Sequence, residues 1–331
     1  VEKAAAVDRV VAIIDEVQLL PDWSARLKGR WDLIVRKNLP VHVVASGSSA
    51  LMLAMESRES LAGRFERLTI SHWSARSLSE VFGMGAEEAA EAAVRFGTFP
   101  GAVVFRGDLP RLLAYVRDAI IDPAIGRDIL STAQVKKPAL LKQVFSVCAV
   151  SPARIVSLQK LQGQLQDPGA LQTVSYYLSL LEEAFLVAPL QKYHERPIKR
   201  RGSPPKLVAL SNAFMAVMDP GTSAGPMSGE LFGTWVENAC LAQAWNSGQQ
   251  VWYWREEPLE VDGVIEGSWG SWAVEVKTGP CQTRDLRGLL EFVAGHPKFK
   301  PVLICDNEGL DTAERVGIRG ITWRDYLIKG L

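Results

Sequence analysis

Two groups of residues in this chain have the types and spacing to do chemistry. The first is Asp15-Glu16, two adjacent acids that end the apolar run Val10-Val11-Ala12-Ile13-Ile14. An acid pair at the tip of a buried strand suits phosphoryl transfer. The first carboxylate orders the shell of a magnesium ion, and the second polarises an attacking water. Ser48 and Ser49 follow a second apolar run, residues 41–45, and by position can contact a γ-phosphate. Arg64 is placed to stabilise charge developing there. The plainer alternative is that adjacent acids after a strand open a helix, whose N-terminus favours negative charge.

The second group lies in the last third of the chain. Glu260-Val261-Asp262 precedes Ala273-Val274-Glu275-Val276-Lys277. Residues 275 and 277 share one face of a strand, and Asp262 on a neighbouring hairpin strand reaches that face. A carboxylate pair with a lysine can hold a magnesium ion and position a water for attack on a phosphodiester. Glu237, on the helix before, adds a ligand. The alternatives are a surface hairpin with weak Glu–Lys pairs and a fold retained only for binding. A third feature is basic: Lys192, Arg196, Lys199, Arg200, Arg201 and Lys206 are opposed only by Glu195. Pro197, Pro204 and Pro205 keep this stretch out of a helix. Such a run either meets nucleic-acid phosphates or is a solvated loop.

These residues need elements to position them. Residues 10–14 and 41–45 read as parallel strands covered on both faces. A helix over 23–37 joins them, with Trp23, Leu27, Trp31, Ile34 and Val35 at helical spacing. Leu68-Thr69-Ile70 reads as a third strand, so the order argues for a βαβ unit. Residues 81–135 read as helical, with helices over 86–96 and 109–119 around the turn Gly97-Thr98-Phe99-Pro100-Gly101. Helices over 140–150, 155–165 and 170–184, then strands at 185–187 and 206–210, outline a winged helix. The basic run is its wing and residues 173–181 its recognition helix. Beyond it, a helix over 229–245 carries Phe232, Val236, Ala239 and Cys240 on one face. Strands follow at 251–254, 259–265 and 272–276, then a helix near 285–294 and a strand at 301–305. Trp252 and Trp254 are expected to pack against the helix that carries Glu237.

Asp15-Glu16-Val17-Gln18 with Pro21, Ser46-Gly47-Ser48-Ser49-Ala50, Ser60-Leu61-Ala62-Gly63-Arg64 and Gly97-Thr98-Phe99-Pro100 occur in this order. Together they resemble a widespread bacterial and archaeal family of AAA-type P-loop ATPases. The C-terminal region resembles the domain of unknown function appended to those ATPases. The resemblance implies ATP binding, magnesium at Asp15 and a helix-rich lid near residues 81–135. Glu237, Asp262 and Glu275-x-Lys277, followed by Gln282, resemble the PD-(D/E)XK nuclease core, which implies magnesium at Asp262 and Glu275. One departure is plain: the Gly-rich phosphate loop with its lysine has no counterpart. No glycine precedes Gly29, and Gly-Lys occurs nowhere. Without that loop a triphosphate lacks its principal anion site. The expectation is half of an ATP site, the loop being either cut away or diverged.

The expected fold is therefore α/β and multidomain. It comprises a partial P-loop ATPase core at 1–80, a helical lid at 81–135, a winged helix at 136–206 and a PD-(D/E)XK-like α/β domain at 207–331. The leading function is a DNA-associated AAA-type ATPase using ATP and Mg2+. The alternatives are a magnesium-dependent DNA nuclease and a non-catalytic nucleic-acid or protein interaction module. DNA is the expected partner, with a homo-oligomer open because AAA-type ATPases often act as rings. Bulk properties agree with a globular chain: 331 residues, 47% hydrophobic and 22% charged, enough for more than one domain. Zero net charge excludes binding to nucleic acid by overall charge and leaves local patches. Four scattered cysteines and four histidines without ligand spacing argue against zinc and for reduced thiols in the cytoplasm. No run approaches the ~20 apolar residues of a membrane span, and no signal peptide is visible.

Overall fold

The computed structural model describes residues 9–47, 61–130, 133, 135–167, 169–195, 203–225, 227 and 229–331. Contacts divide the chain into two compact units, Val1–Ile70 with Ala124–Lys136, and Ser71–Pro123 with Lys137–Leu331. These bounds differ from the four parts expected from sequence: residues 71–80 of the expected ATPase core fall in the larger unit, and the expected lid is split, 81–123 in the larger unit and 124–135 in the smaller.

In the smaller unit, β-branched residues build β1 (Val10–Ile14) and β2 (Val41–Ala45). They pair in parallel, with Val10 opposite Val41 and Ile14 opposite Ala45. The crossover contains α1 (Trp23–Arg36). Trp23 is buried with Val17 and Leu61, and Ile14 and Leu27 pack against them. The expectation that both faces of this sheet are covered does not hold among the described residues. Val11 and Ile13 are exposed while Val10, Ala12 and Ile14 are half-buried. Nor is there a strand at Leu68-Thr69-Ile70. Leu68 and Ile70 face solvent, and a three-residue run with two apolar side chains does not make a strand without a partner edge.

The larger unit opens with α2 (Ala75–Phe82) and α3 (Ala86–Phe96). Ser74 caps α2 by accepting from the Ser77 N–H. Then comes α4 (Leu109–Val116), capped by Asp108, which continues as π-helical turns through Arg117–Ile121. Next are α5 (Pro138–Ala149), β3 (Arg154–Ile155), α6 (Leu158–Gly163), α7 (Leu171–Glu183), β4 (Val187–Leu190) and β5 (Lys206–Ala209). The three strands form an antiparallel sheet in the order β3-β5-β4. On α7, Tyr177 is buried and its hydroxyl accepts from the Lys137 N–H at 3.1 Å, while Tyr176 is exposed.

After α8 (Asn212–Met218) and α9 (Gly229–Asn246) comes a five-stranded sheet. Its strands are β6 (Gln250–Glu256), β7 (Leu259–Gly267), β8 (Gly270–Lys277), β9 (Lys300–Cys305) and β10 (Arg319–Thr322), in the order β10-β9-β8-β7-β6. The β6–β7–β8 meander is antiparallel, whereas β8–β9 and β9–β10 are parallel. Parallel neighbours need crossovers. These are α10 (Arg287–Gly295) and α11 (Asn307–Val316), and α12 (Trp323–Lys329) ends the chain. The two tryptophans of β6 do not serve as expected. Trp254 packs with Val261, Leu289 and Phe292, its ring 5.4 Å from Phe292 on α10, and Trp252 stacks edge-on to Tyr193. Both pack on one cluster with Tyr193 and Phe292, so they share a side as expected but meet α10 rather than the helix that carries Glu237.

Candidate functional site

At the N-terminal strands, β1 delivers Asp15 and Glu16 to its C-terminal end, and β2 delivers Ser46 beside them. Ser46 Oγ donates to Asp15 Oδ1 at 2.5 Å, and the Glu16 N–H donates to the same oxygen at 3.1 Å. The Ser46 backbone closes the arrangement: its N–H donates to Ile14 O and its carbonyl accepts from the Val17 N–H, both at 2.9 Å. Glu16 has φ 48°, a left-handed conformation that is costly for a non-glycine residue, and its Oε2 accepts from Gln18 Nε2. Asp15 is thus oriented by the neighbouring strand, and Glu16 is turned by its backbone. Arg64 is tied elsewhere. Its Nε lies 3.2 Å from Asp32 Oδ1 on α1, and its Nη1 donates to Ala62 O at 3.3 Å. Ser48 and Ser49 lie outside the described residues. Ser46, missed as a site residue, had its signal in being the first hydroxyl after β2.

The second cluster does assemble. α9 carries Glu237, β7 carries Glu260 and Asp262, and β8 carries Glu275 and Lys277. The β7–β8 register, with Gly263 opposite Val274, sets Asp262 beside Glu275. Asp262 Oδ2 accepts from the Val276 N–H at 2.9 Å, and Lys277 Nζ donates to Glu275 Oε1 at 2.6 Å. Sequence reasoning misplaced the remaining member, Lys206. Expected among basic residues facing phosphates, it is 1% exposed. Its Nζ lies 2.6 Å from Glu237 Oε1, 3.3 Å from Glu260 Oε1 and 3.4 Å from Asp262 Oδ1. It also donates to Asp262 O at 3.3 Å. Lys206 heads the buried strand β5, so its side chain runs inward, where an ammonium is tolerated only with carboxylate partners.

The cluster is electrostatically crowded. Burial, then the Asp262 charge, pushes the Glu237 carboxyl up to about 7 against the opposing pull of Lys206 and Lys277. Burial and Asp262 likewise push Glu275 up to about 8, with Lys277 opposing. Burial works against the Asp262 charge too, but Lys206, Lys277 and the Val276 N–H hold this carboxyl below its ordinary value. Burial also disfavours the Lys206 and Lys277 charges, yet the surrounding carboxylates hold both ammoniums above the usual lysine range. Glu275 Oε2 is buried with no hydrogen-bond partner among the described residues.

Of the expected DNA-contacting residues, Lys192 is half-buried and forms a backbone bridge with Tyr253. Arg196, Lys199, Arg200 and Arg201 lie outside the described residues. Among the described residues no helix is long and apolar enough to cross a membrane.

Comparison with known proteins adds to this geometry. Residues 1–79 match an AAA domain, residues 87–220 a domain of unknown function (DUF8612), and residues 228–322 a further domain of unknown function (DUF4143). The first and last of these support an AAA-like ATPase family with an appended domain of unknown function. An uncharacterized protein of Haemophilus influenzae is 26% identical over 267 residues, covering 78% of this chain and 63% of the relative. An uncharacterized protein of Mycobacterium tuberculosis is 25% identical over 286 residues, covering 84% and 61%. The chain thus spans about three-fifths of the length of these curated relatives. The crystal structure of protein VC1899 from Vibrio cholerae covers 96% of this chain and 94% of its own at 11% identity. Its TM-score of 0.23 is too low to bear on the fold.

Proposed function

We propose that the protein is an AAA-type ATPase that works on DNA, with Asp15 and Glu16 as the magnesium and water side of its ATP site. The observation that carries this reading is the pairing of Asp15 with Ser46 across the C-terminal ends of two parallel strands. Open parallel sheets bind ligands beyond those ends. In this reading Asp15 orders the magnesium shell, Ser46 fixes the Asp15 rotamer and Glu16 aligns the attacking water. Magnesium supplies charge neutralisation on the phosphates. The test is phosphate release from ATP by the protein expressed from the start of its reading frame. Glu16→Gln should lower the rate at least about 100-fold while ATP binding persists. An inert wild type, or an unimpaired Glu16→Gln, overturns the reading.

The DNA part draws on the middle of the larger unit. The succession α5–β3–α6–α7–β4–β5 with sheet order β3-β5-β4 supports a winged-helix reading, in which the basic run follows β4 and ends at Lys206, the first residue of β5. Affinity for duplex DNA should fall steeply with salt and drop when Lys199, Arg200 and Arg201 are neutralised. Salt-insensitive binding, or none, removes DNA from the proposal.

A metal-dependent nuclease is the second reading. The meeting of Glu237, Asp262, Glu275 and Lys277 favours it, and the seat of Lys206 stands against it. It requires magnesium- or manganese-dependent DNA cleavage that Lys277→Ala abolishes.

A further inference from the structure

We propose that Lys206 is the resident cation of the Glu237–Glu260–Asp262 cluster and closes it to divalent ions. The inference concerns ion binding and does not rest on the nuclease reading.

The geometry is that of a filled site. An ammonium has three donors. Lys206 Nζ directs them to Glu237 Oε1, Asp262 Oδ1 and Asp262 O, with Glu260 Oε1 at 3.3 Å. The remaining oxygens that an ion would use are largely committed. Asp262 Oδ2 takes the Val276 N–H, and Glu275 Oε1 takes Lys277. Magnesium demands near-octahedral oxygen ligation at about 2.0–2.1 Å. An ammonium on the same oxygens occupies that volume and repels a second cation. Among the described residues, no group of three or more His, Cys, Asp or Glu side chains is arranged to hold a metal ion. As folded, the cluster does not fit the ion that a PD-(D/E)XK-like centre would require.

Lys206 is also held in place from its own side. β5 pairs with β3 and β4 through Lys206 opposite Ile155 and Leu190. Three residues on, the Asn238 amide brackets the Ala209 backbone, accepting from its N–H at 3.0 Å and donating to its carbonyl at 2.8 Å. The backbone that carries the ammonium is thus fixed by both neighbouring strands and by Asn238. The cluster therefore joins that sheet to the C-terminal one, and it admits a divalent ion only when the Lys206 ammonium withdraws. Glu275 Oε2, buried and unpartnered among the described residues, is the ligand atom such an ion would still find.

The experiment is titration of the whole chain with Mn2+, read by electron paramagnetic resonance of the free ion. Wild type, Lys206→Met, Lys206→Met with Glu237→Gln, and each of these with Asp262→Asn are compared. The wild type should show no binding that depends on Asp262. Lys206→Met should gain an Asp262-dependent site at least about tenfold tighter, a difference of about 1.4 kcal/mol. If Lys206→Met fails to fold, the double variant removes an acid together with the ammonium and carries the same readout. Asp262-dependent binding by the wild type equal to that of a variant overturns the proposal, as does a folded variant that gains no site. If neither variant folds, the wild type decides: Asp262-dependent binding overturns the proposal, and its absence upholds it. A site that opens but cleaves no DNA removes the nuclease reading and leaves this one standing.

Discussion

Buried polar side chains bind segments of the larger unit that are far apart in sequence. Asn238 on α9 is fully buried, brackets the Ala209 backbone and donates to Asn212 Oδ1 at 2.8 Å. Asn212 in turn donates to Val94 O and Trp235 O. Asn238→Ala strands these partners away from water and should cost about 2–4 kcal/mol in denaturant unfolding. Glu182 makes a pH-dependent prediction. Burial, then the neighbouring Glu183 charge, pushes its carboxyl up to about 7, and it sits in the last turn of α7, where the helix dipole disfavours an acid. Between its ordinary value of 4.5 and about 7, the folded state holds the proton that the unfolded chain releases. Stability therefore falls as pH rises through that window. Glu182→Gln should raise stability by about 1–2 kcal/mol at pH 8 and change little at pH 4. A stabilisation independent of pH would refute the assignment. At this scale Asp262, Glu275 and Lys277 were legible because strand alternation fixes which side chains share a face. Lys206 was not, because a lysine after two prolines and a basic run reads as solvated, and only the burial of β5 turns it inward.

Elements were legible where their period was clean. The helix Ala86–Phe96, the parallel pair β1–β2 and the β6–β7–β8 meander stand where sequence placed them. Residues 307–329 were not read at all. α11 is heavily charged outside its buried Gly309, Thr312 and Ala313. The burial of Trp323, whose Nε1 donates to Asp306 Oδ1 at 2.7 Å, depends on partners far along the chain. Neither Arg324–Glu91, 2.9 Å apart between α12 and α3, nor Tyr326–Cys240, 3.0 Å apart, leaves a local trace. The close approach of α10 to β7 gives a prediction at this scale. A Cβ on Gly288 would lie 2.1 Å from the Glu260 carbonyl oxygen, backbone that can yield only if the helix shifts. Gly288→Ala should lower stability by about 1–3 kcal/mol and disturb Glu260 at the edge of the Lys206 cluster. An unchanged melting temperature would contradict this packing.

For the molecule as a whole, the two candidate centres differ in kind. The N-terminal one keeps an acid pair poised beyond the ends of parallel strands, while Val11 and Ile13 of the same sheet remain exposed. The C-terminal one gathers four carboxylates but fills itself with Lys206. Sequence gave both centres their outline because each sits at strand ends or on one strand face. It did not show that the second was occupied from within, because that depends on a lysine 31 residues in sequence from Glu237, the nearest carboxylate of the cluster. The central claim is that nucleotide chemistry belongs to Asp15 and Glu16. Single-turnover ATP hydrolysis, compared for wild type, Glu16→Gln and Lys277→Ala expressed from the start of the reading frame, tests it most directly. The account predicts that Glu16→Gln loses hydrolysis about 100-fold or more and that Lys277→Ala hydrolyses at the wild-type rate. Hydrolysis that survives in Glu16→Gln would contradict it.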